Sequence, residues 1–167
     1  MATVIPGLAT EIATGIGQGF VTLHVTAFAT GVLDELTQNG SATFGNIPGP
    51  HPISGLSGAS MASRIVAAGP YTFVSPELAN FCTAIADHIT ANGVVTYAGP
   101  PPAPPGLPPP DAWFTGGVVS GVNGPGMAAE VAAAVGYPFV STQLIGKCTA
   151  IADHINNNAQ VESGVIS

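Results

Sequence analysis

The acid–histidine neighbours in this chain are Asp87-His88 and Asp153-His154, and an earlier segment carries Asp34-Glu35 in the matching place. A carboxylate holding an imidazole can do general acid–base work when a nucleophile or a metal lies alongside. Neighbouring residues of a helix project about 100° apart, so neither pair is a ready dyad. A polar helix face, with the recurrent Asp making a local hydrogen bond or a subunit contact, is the simpler reading. The two cysteines, Cys82 and Cys148, are too few for a disulfide scaffold or a cysteine zinc site. They occupy equivalent positions, so a mutual disulfide or a reactive thiol stays open. The same position holds Ala29 in the earlier segment, and a small buried side chain accounts for all three.

Metal binding needs His and carboxylates at helical spacing. His88 and Cys82 are six residues apart, on different faces, and His24 and His51 stand alone. The glycines of GIGQG (15–19) lack a preceding strand and the spacing of a dinucleotide fingerprint. No residue is assigned to catalysis, cofactor binding or a metal. The chain is read as non-enzymatic and without a cofactor.

The elements that position these residues repeat. Segments 61–97 and 127–163 align without a gap at an offset of 66 and share the octapeptide CTAIADHI. Segment 8–44 aligns with the first of these at an offset of 53. On Phe20, Phe73 and Phe139 the three share FV(S/T), a Thr at 30, 83 and 149, and an Asp at 34, 87 and 153.

Each copy predicts a long helix capped by Thr22, Ser75 or Ser141, with Pro76 and Glu77 suiting the first turn of the second. Apolar residues follow at one-sided helical spacing. The predicted repeat core is Phe20, Phe28 and Leu36; Phe73, Phe81, Cys82, Ile85 and Ile89; and Phe139, Cys148, Ile151 and Ile155. Lys147 replaces the Phe of the other copies, so that face is either less buried or crossed by the lysine stem with its head in water.

Asn39-Gly40 and Asn92-Gly93 read as helix stops with a left-handed Gly, whereas Asn158-Ala159 breaks the pattern and predicts a different end. Short β-prone runs follow at 41–44 and 94–97. Before each Phe comes a helix of small residues, near 8–15, 61–68 and 127–134. The fold class is therefore mainly α with short β-strands: three tandem helix–helix–strand pseudo-repeats in a single domain, 1–167. A Gly/Pro loop is expected at 45–60 and an insert at 98–126.

Within that insert, 98–112 (AGPPPAPPGLPPPDA) predicts a polyproline II arm. About twelve such residues at roughly 3.1 Å each reach nearly 40 Å. Its candidate assembly contacts are Pro100, Pro101, Pro104, Pro105 and Pro108, closed by Trp113 and Phe114.

Charge narrows the function. Only 7% of residues are charged, and the basic ones are Arg64 and Lys147. Phosphate neutralisation needs several cations on one face, so nucleic acid is excluded as a partner, as is a polybasic membrane contact. No apolar run reaches the roughly 18 residues of a membrane span. The start, MATVIPGLATEI, lacks the features of a secretory signal, so cytoplasmic synthesis is expected.

Low basic content, acidic charge, abundant Gly, Thr, Ala and Pro, and a start expected to be unprocessed together resemble small virion structural proteins of tailed bacteriophages. The resemblance is one of style over the whole chain, with no diagnostic motif. It implies a capsid, neck, tail or baseplate component, made in a host cytoplasm and bound to other subunits as a homo- or hetero-oligomer. Recurrent strands would offer edges for another chain's sheet. The alternatives are a cellular filament or shell subunit that self-polymerises, and a small ligand-binding module or enzyme.

Overall fold

Three side chains open the three longest helices in the same way. The hydroxyls of Thr22, Ser75 and Ser141 accept the N–H of Val25, Leu78 and Leu144 at 3.3, 3.1 and 3.1 Å. Each thereby satisfies a backbone donor that has no partner within the helix. The computed structural model describes residues 5–42, 50–97, 115–162 and 165–166. In chain order its elements are α1 (Ile5–Gly15), α2 (Leu23–Asn39), β1 (Ser41–Ala42), β2 (Pro50–Ser54), α3 (Gly58–Ala68) and α4 (Pro76–Asn92). They continue with β3 (Val94–Tyr97), β4 (Thr115–Ser120), α5 (Gly124–Val135), α6 (Thr142–Asn158), β5 (Gln160–Glu162) and β6 (Val165–Ile166). The protein is mainly helical, with a curled antiparallel sheet.

Both layers close on themselves. Each helix packs on the next, and α1 packs on α6, so the helices form a ring. The strands pair antiparallel in chain order, and β1 returns to β6 through Ser41 and Val165. The expected strand edges are therefore used up inside the chain, because a closed sheet has none to lend. The core runs through both layers, from Leu8, Ile12, Phe28 and Met61 in the helices to Ile53, Val95, Val119 and Val161 in the strands.

Close approach explains two glycines. A Cβ on Gly58 or Gly124 would collide with Thr83 or Thr149, so α3 and α5 start on glycine. The ring closes between α6 and α1 through Gly146 and Gly15, where a Cβ on either would strike the other's carbonyl.

Several expectations are corrected. The loop at 45–60 contains β2 and the first turn of α3. The insert at 98–126 contains β4 and the start of α5. Pro and Gly disguised β2, but Pro50 and Pro52 alternate with His51 and Ile53, and Ile53 points into the core. Gly40 and Gly93 are not left-handed: both lie near φ −65 to −70° and ψ 128°. Ala159 has φ −71° and ψ 127°, so the third long helix ends like the others. Each chain turns straight from helix into an extended strand, a conformation that Ala adopts as readily as Gly.

Phe20, Phe73 and Phe139 are not core: they are 71, 69 and 71% exposed. They precede the caps by two residues and belong to the loops, beyond the reach of the helical stripe. The other predicted core residues (Phe28, Leu36, Phe81, Cys82, Ile85, Ile89, Cys148, Ile151 and Ile155) are buried. The predicted arm contacts Pro100, Pro101, Pro104, Pro105, Pro108, Trp113 and Phe114, together with Phe44, lie outside the described residues.

Candidate functional site: helix junctions, loop rim and a half-buried lysine

Near the C-terminal ends of the long helices, three corresponding positions carry Glu35, His88 and His154. All three are buried, whereas Asp87 and Asp153 beside the histidines are exposed. Their partners come from the next short helix around the ring. Arg64 of α3 donates to Glu35 at 3.1 Å, His88 Nδ1 meets Glu130 of α5 at 3.1 Å, and His154 Nδ1 meets Glu11 of α1 at 2.9 Å. Arg64, Glu130 and Glu11 are themselves corresponding positions in the 53- and 66-residue registers.

An Asn four residues on steadies each group. Asn39 donates to both Glu35 oxygens, while Asn92 and Asn158 donate to the carbonyls of His88 and His154. Two junctions also anchor the start of the next helix. The N–H of Ser57 donates to Glu35 at 2.8 Å, and that of Asn123 to His88 Nε2 at 3.4 Å. A ring nitrogen facing an N–H accepts, which assigns the His88 proton to Nδ1, facing Glu130.

Burial pushes the Glu35 carboxyl upward, but hydrogen bonds from Ser60, Asn39, the Ser57 N–H and Arg64 outweigh it and hold it below its ordinary value. The acid–histidine contacts are thus clasps between helices. Among the described residues no cluster of three or more His, Cys, Asp or Glu could hold a metal.

The opposite ends of the long helices carry the loops 16–22, 69–75 and 136–141. Each loop leans on the preceding long helix. Tyr71 packs edge-on to His24 with centroids 5.3 Å apart, Tyr137 donates its hydroxyl to Glu77, and Gln18 lines one cleft with Gln143. These too are corresponding positions, and they gather the loops into one rim. From this rim project Phe20-Val21, Phe73-Val74 and Phe139-Val140, with Leu23 beside the first pair, all exposed.

Between rim and junctions, Phe28, Phe81 and Lys147 occupy corresponding positions on α2, α4 and α6 and meet inside the ring. The two rings pack edge-on at 5.6 Å, and the Lys147 ammonium lies 3.6 Å from the Phe28 centroid and 4.7 Å from that of Phe81. Lys147 is half-buried, so its head keeps access to the cleft but is not simply solvated as the sequence suggested. It lies against aromatic faces, which attract a cation through their quadrupoles. Burial pushes its pKa down to about 8, against the opposing pull of Cys148 and Cys82. Both cysteines are free, and burial raises their thiols to about 12, with Lys147 offsetting part of the rise. Neither is a reactive thiolate.

Sequence reasoning missed Glu11, Arg64 and Glu130. The signal was available, since each falls at the same aligned position and takes the polarity that complements Glu35, His88 or His154. No family model, curated protein or solved structure matches this chain. Among the described residues, no helix is long and apolar enough to cross a membrane.

Proposed function

We propose that this chain is a non-enzymatic structural subunit of a large assembly. On this reading it is built of three tandem helix–helix–strand pseudo-repeats about a pseudo-threefold axis and docks through its loop rim. The observation that carries the reading is the threefold recurrence of an exposed Phe-Val pair. A soluble domain scatters single apolar residues over its surface. Six large apolar side chains gathered at one end instead mark a contact face. Burying each Phe would contribute on the order of 2 kcal/mol.

The partners are other protein subunits, identical or different. The assembly in view is a bacteriophage virion, in its capsid, neck, tail or baseplate, where a pseudo-threefold unit suits a symmetry axis. The Pro-rich arm at 98–112 would extend the contact. Strand addition is not the route of contact on either the virion or the filament reading, because the sheet closes within the chain.

The test compares the wild-type chain with a F20S/F73S/F139S variant by light scattering over a wide concentration range. Expected is an unchanged melting temperature with loss of concentration-dependent association, or of binding to a scaffold protein. Equal association by both would remove the rim from the assembly. A variant that fails to fold would return these residues to the core.

A further inference from the structure

Lys147 is the floor of the cleft that opens among the rim loops. This cleft has a volume of about 420 Å³, and its wall combines Phe81, Leu144 and Ile16 with the polar lip of Gln18, Gln143 and Ser141. An apolar wall with a few convergent polar groups, at the small end of the ligand-site range, is the form of a small-molecule site. What distinguishes this one is its charge. None of the ion pairs among the described residues involves Lys147, and its ammonium lies instead against two aromatic faces. A half-buried ammonium against aromatic faces, with no carboxylate paired to it among the described residues, is stabilised by an anion entering from the open side.

The geometry points to this cleft as a binding site for a small monocarboxylic acid with an apolar tail, its carboxylate paired with Lys147 and its tail against Phe81, Leu144 and Ile16. The chain's net charge of −7 gives an acid no long-range attraction, so affinity must come from the short, desolvated contact. A carboxylate bound there favours the charged lysine and so opposes the downward shift that burial imposes. The cleft shares Phe139 with the rim, but Lys147 and the tail contacts Phe81, Leu144 and Ile16 lie outside the exposed Phe-Val pairs, so K147M tests this site while F20S/F73S/F139S tests assembly.

The probes are octanoate and octanol, which share an apolar body and differ in the charged head. Binding is followed by calorimetry at pH 7, and the Lys147 side chain by NMR. Expected is saturable octanoate binding at least tenfold tighter than octanol, with the Lys147 titration midpoint moving up from about 8 by a unit or more. K147M should lose that tenfold preference while binding octanol as the wild type does. Equal binding of the two probes, binding of neither, or an unmoved Lys147 midpoint would each overturn the proposal. The wild-type NMR titration decides it even if K147M folds poorly.

Discussion

Replacing Lys147 with Met should stabilise the protein at neutral pH, and the gain should vanish as the pH rises. In the folded chain the ammonium titrates near 8, against an ordinary 10.5. A shift of that size corresponds to about 3 kcal/mol of destabilisation whenever the lysine is charged in both states. Stacking over Phe28 and Phe81 offsets some of this in the wild type, by about 1–2 kcal/mol. Met, unbranched and one atom shorter, fills most of the same space and adds sulfur–aromatic contact. The net expectation is a gain of about 1–3 kcal/mol below pH 8.

The sign follows from proton counting. Between pH 8 and 10.5 the unfolded chain holds more protons at this site than the folded one, so wild-type stability rises with pH through that window. The cysteines act in the opposite sense. Their thiols titrate near 12 when folded against 9 ordinarily, so above pH 9 they lower stability in both proteins. The difference between K147M and wild type cancels the thiol contribution to first order. Urea unfolding at half-unit steps from pH 6 to 10 measures it. A difference that does not change with pH, or a K147M protein destabilised by more than about 1 kcal/mol at pH 7, would refute a desolvated lysine.

Removing Arg64 (R64A) should cost about 3 kcal/mol, because it strips a buried carboxylate of its cation; the E35H/R64E double variant, which copies the other two junctions, should recover most of that loss in the same urea titration. S141A should lower stability by about 1 kcal/mol through the lost cap at the start of α6, read as a shift in urea midpoint with unchanged slope. G146V, which drives a side chain into the Gly15 backbone, should cost about 3 kcal/mol or more, and the faster amide exchange should be concentrated in α1 and α6.

The helical half of this fold was legible because its signals are local. A Ser or Thr before a one-sided apolar stripe fixes both where a helix starts and which face it buries, and the stripes from Phe28 to Leu36 and from Phe81 to Ile89 are buried as read. The strands were harder. β1 and β6 are two residues long, and β2 contains two prolines, so neither propensity nor alternation has enough residues to speak. Closure of the sheet is a non-local fact that no window can contain.

The rim was misread for a different reason. A Phe recurring at one aligned position suggests packing, yet recurrence requires only that the three loops share an environment, and here that environment is solvent. Lys147 was legible as an anomaly; which side of the helix faced the Phe pair was not.

The junctions explain why segments so alike elsewhere differ here. In a closed ring each short helix must pack on the preceding long helix of its own chain and not on that of a neighbour, and the caps and apolar stripes are too similar to choose. The polar pairs do choose. Glu35 facing Glu130 or Glu11 would set two carboxylates together in a buried place, and Arg64 facing His88 or His154 would leave a cation without its acid. Every pairing that satisfies all three junctions keeps Arg64 on Glu35, so inverting the polarity of that one junction penalises any swap that moves α3 while leaving the native arrangement intact. The E35H/R64E variant would make the three junctions alike. If that reasoning holds, it should fold with near-native stability yet form exchanged dimers when refolded at high concentration, visible as a second peak in size-exclusion chromatography. A variant that stays monomeric under those conditions would show that connectivity alone sets the order of the ring.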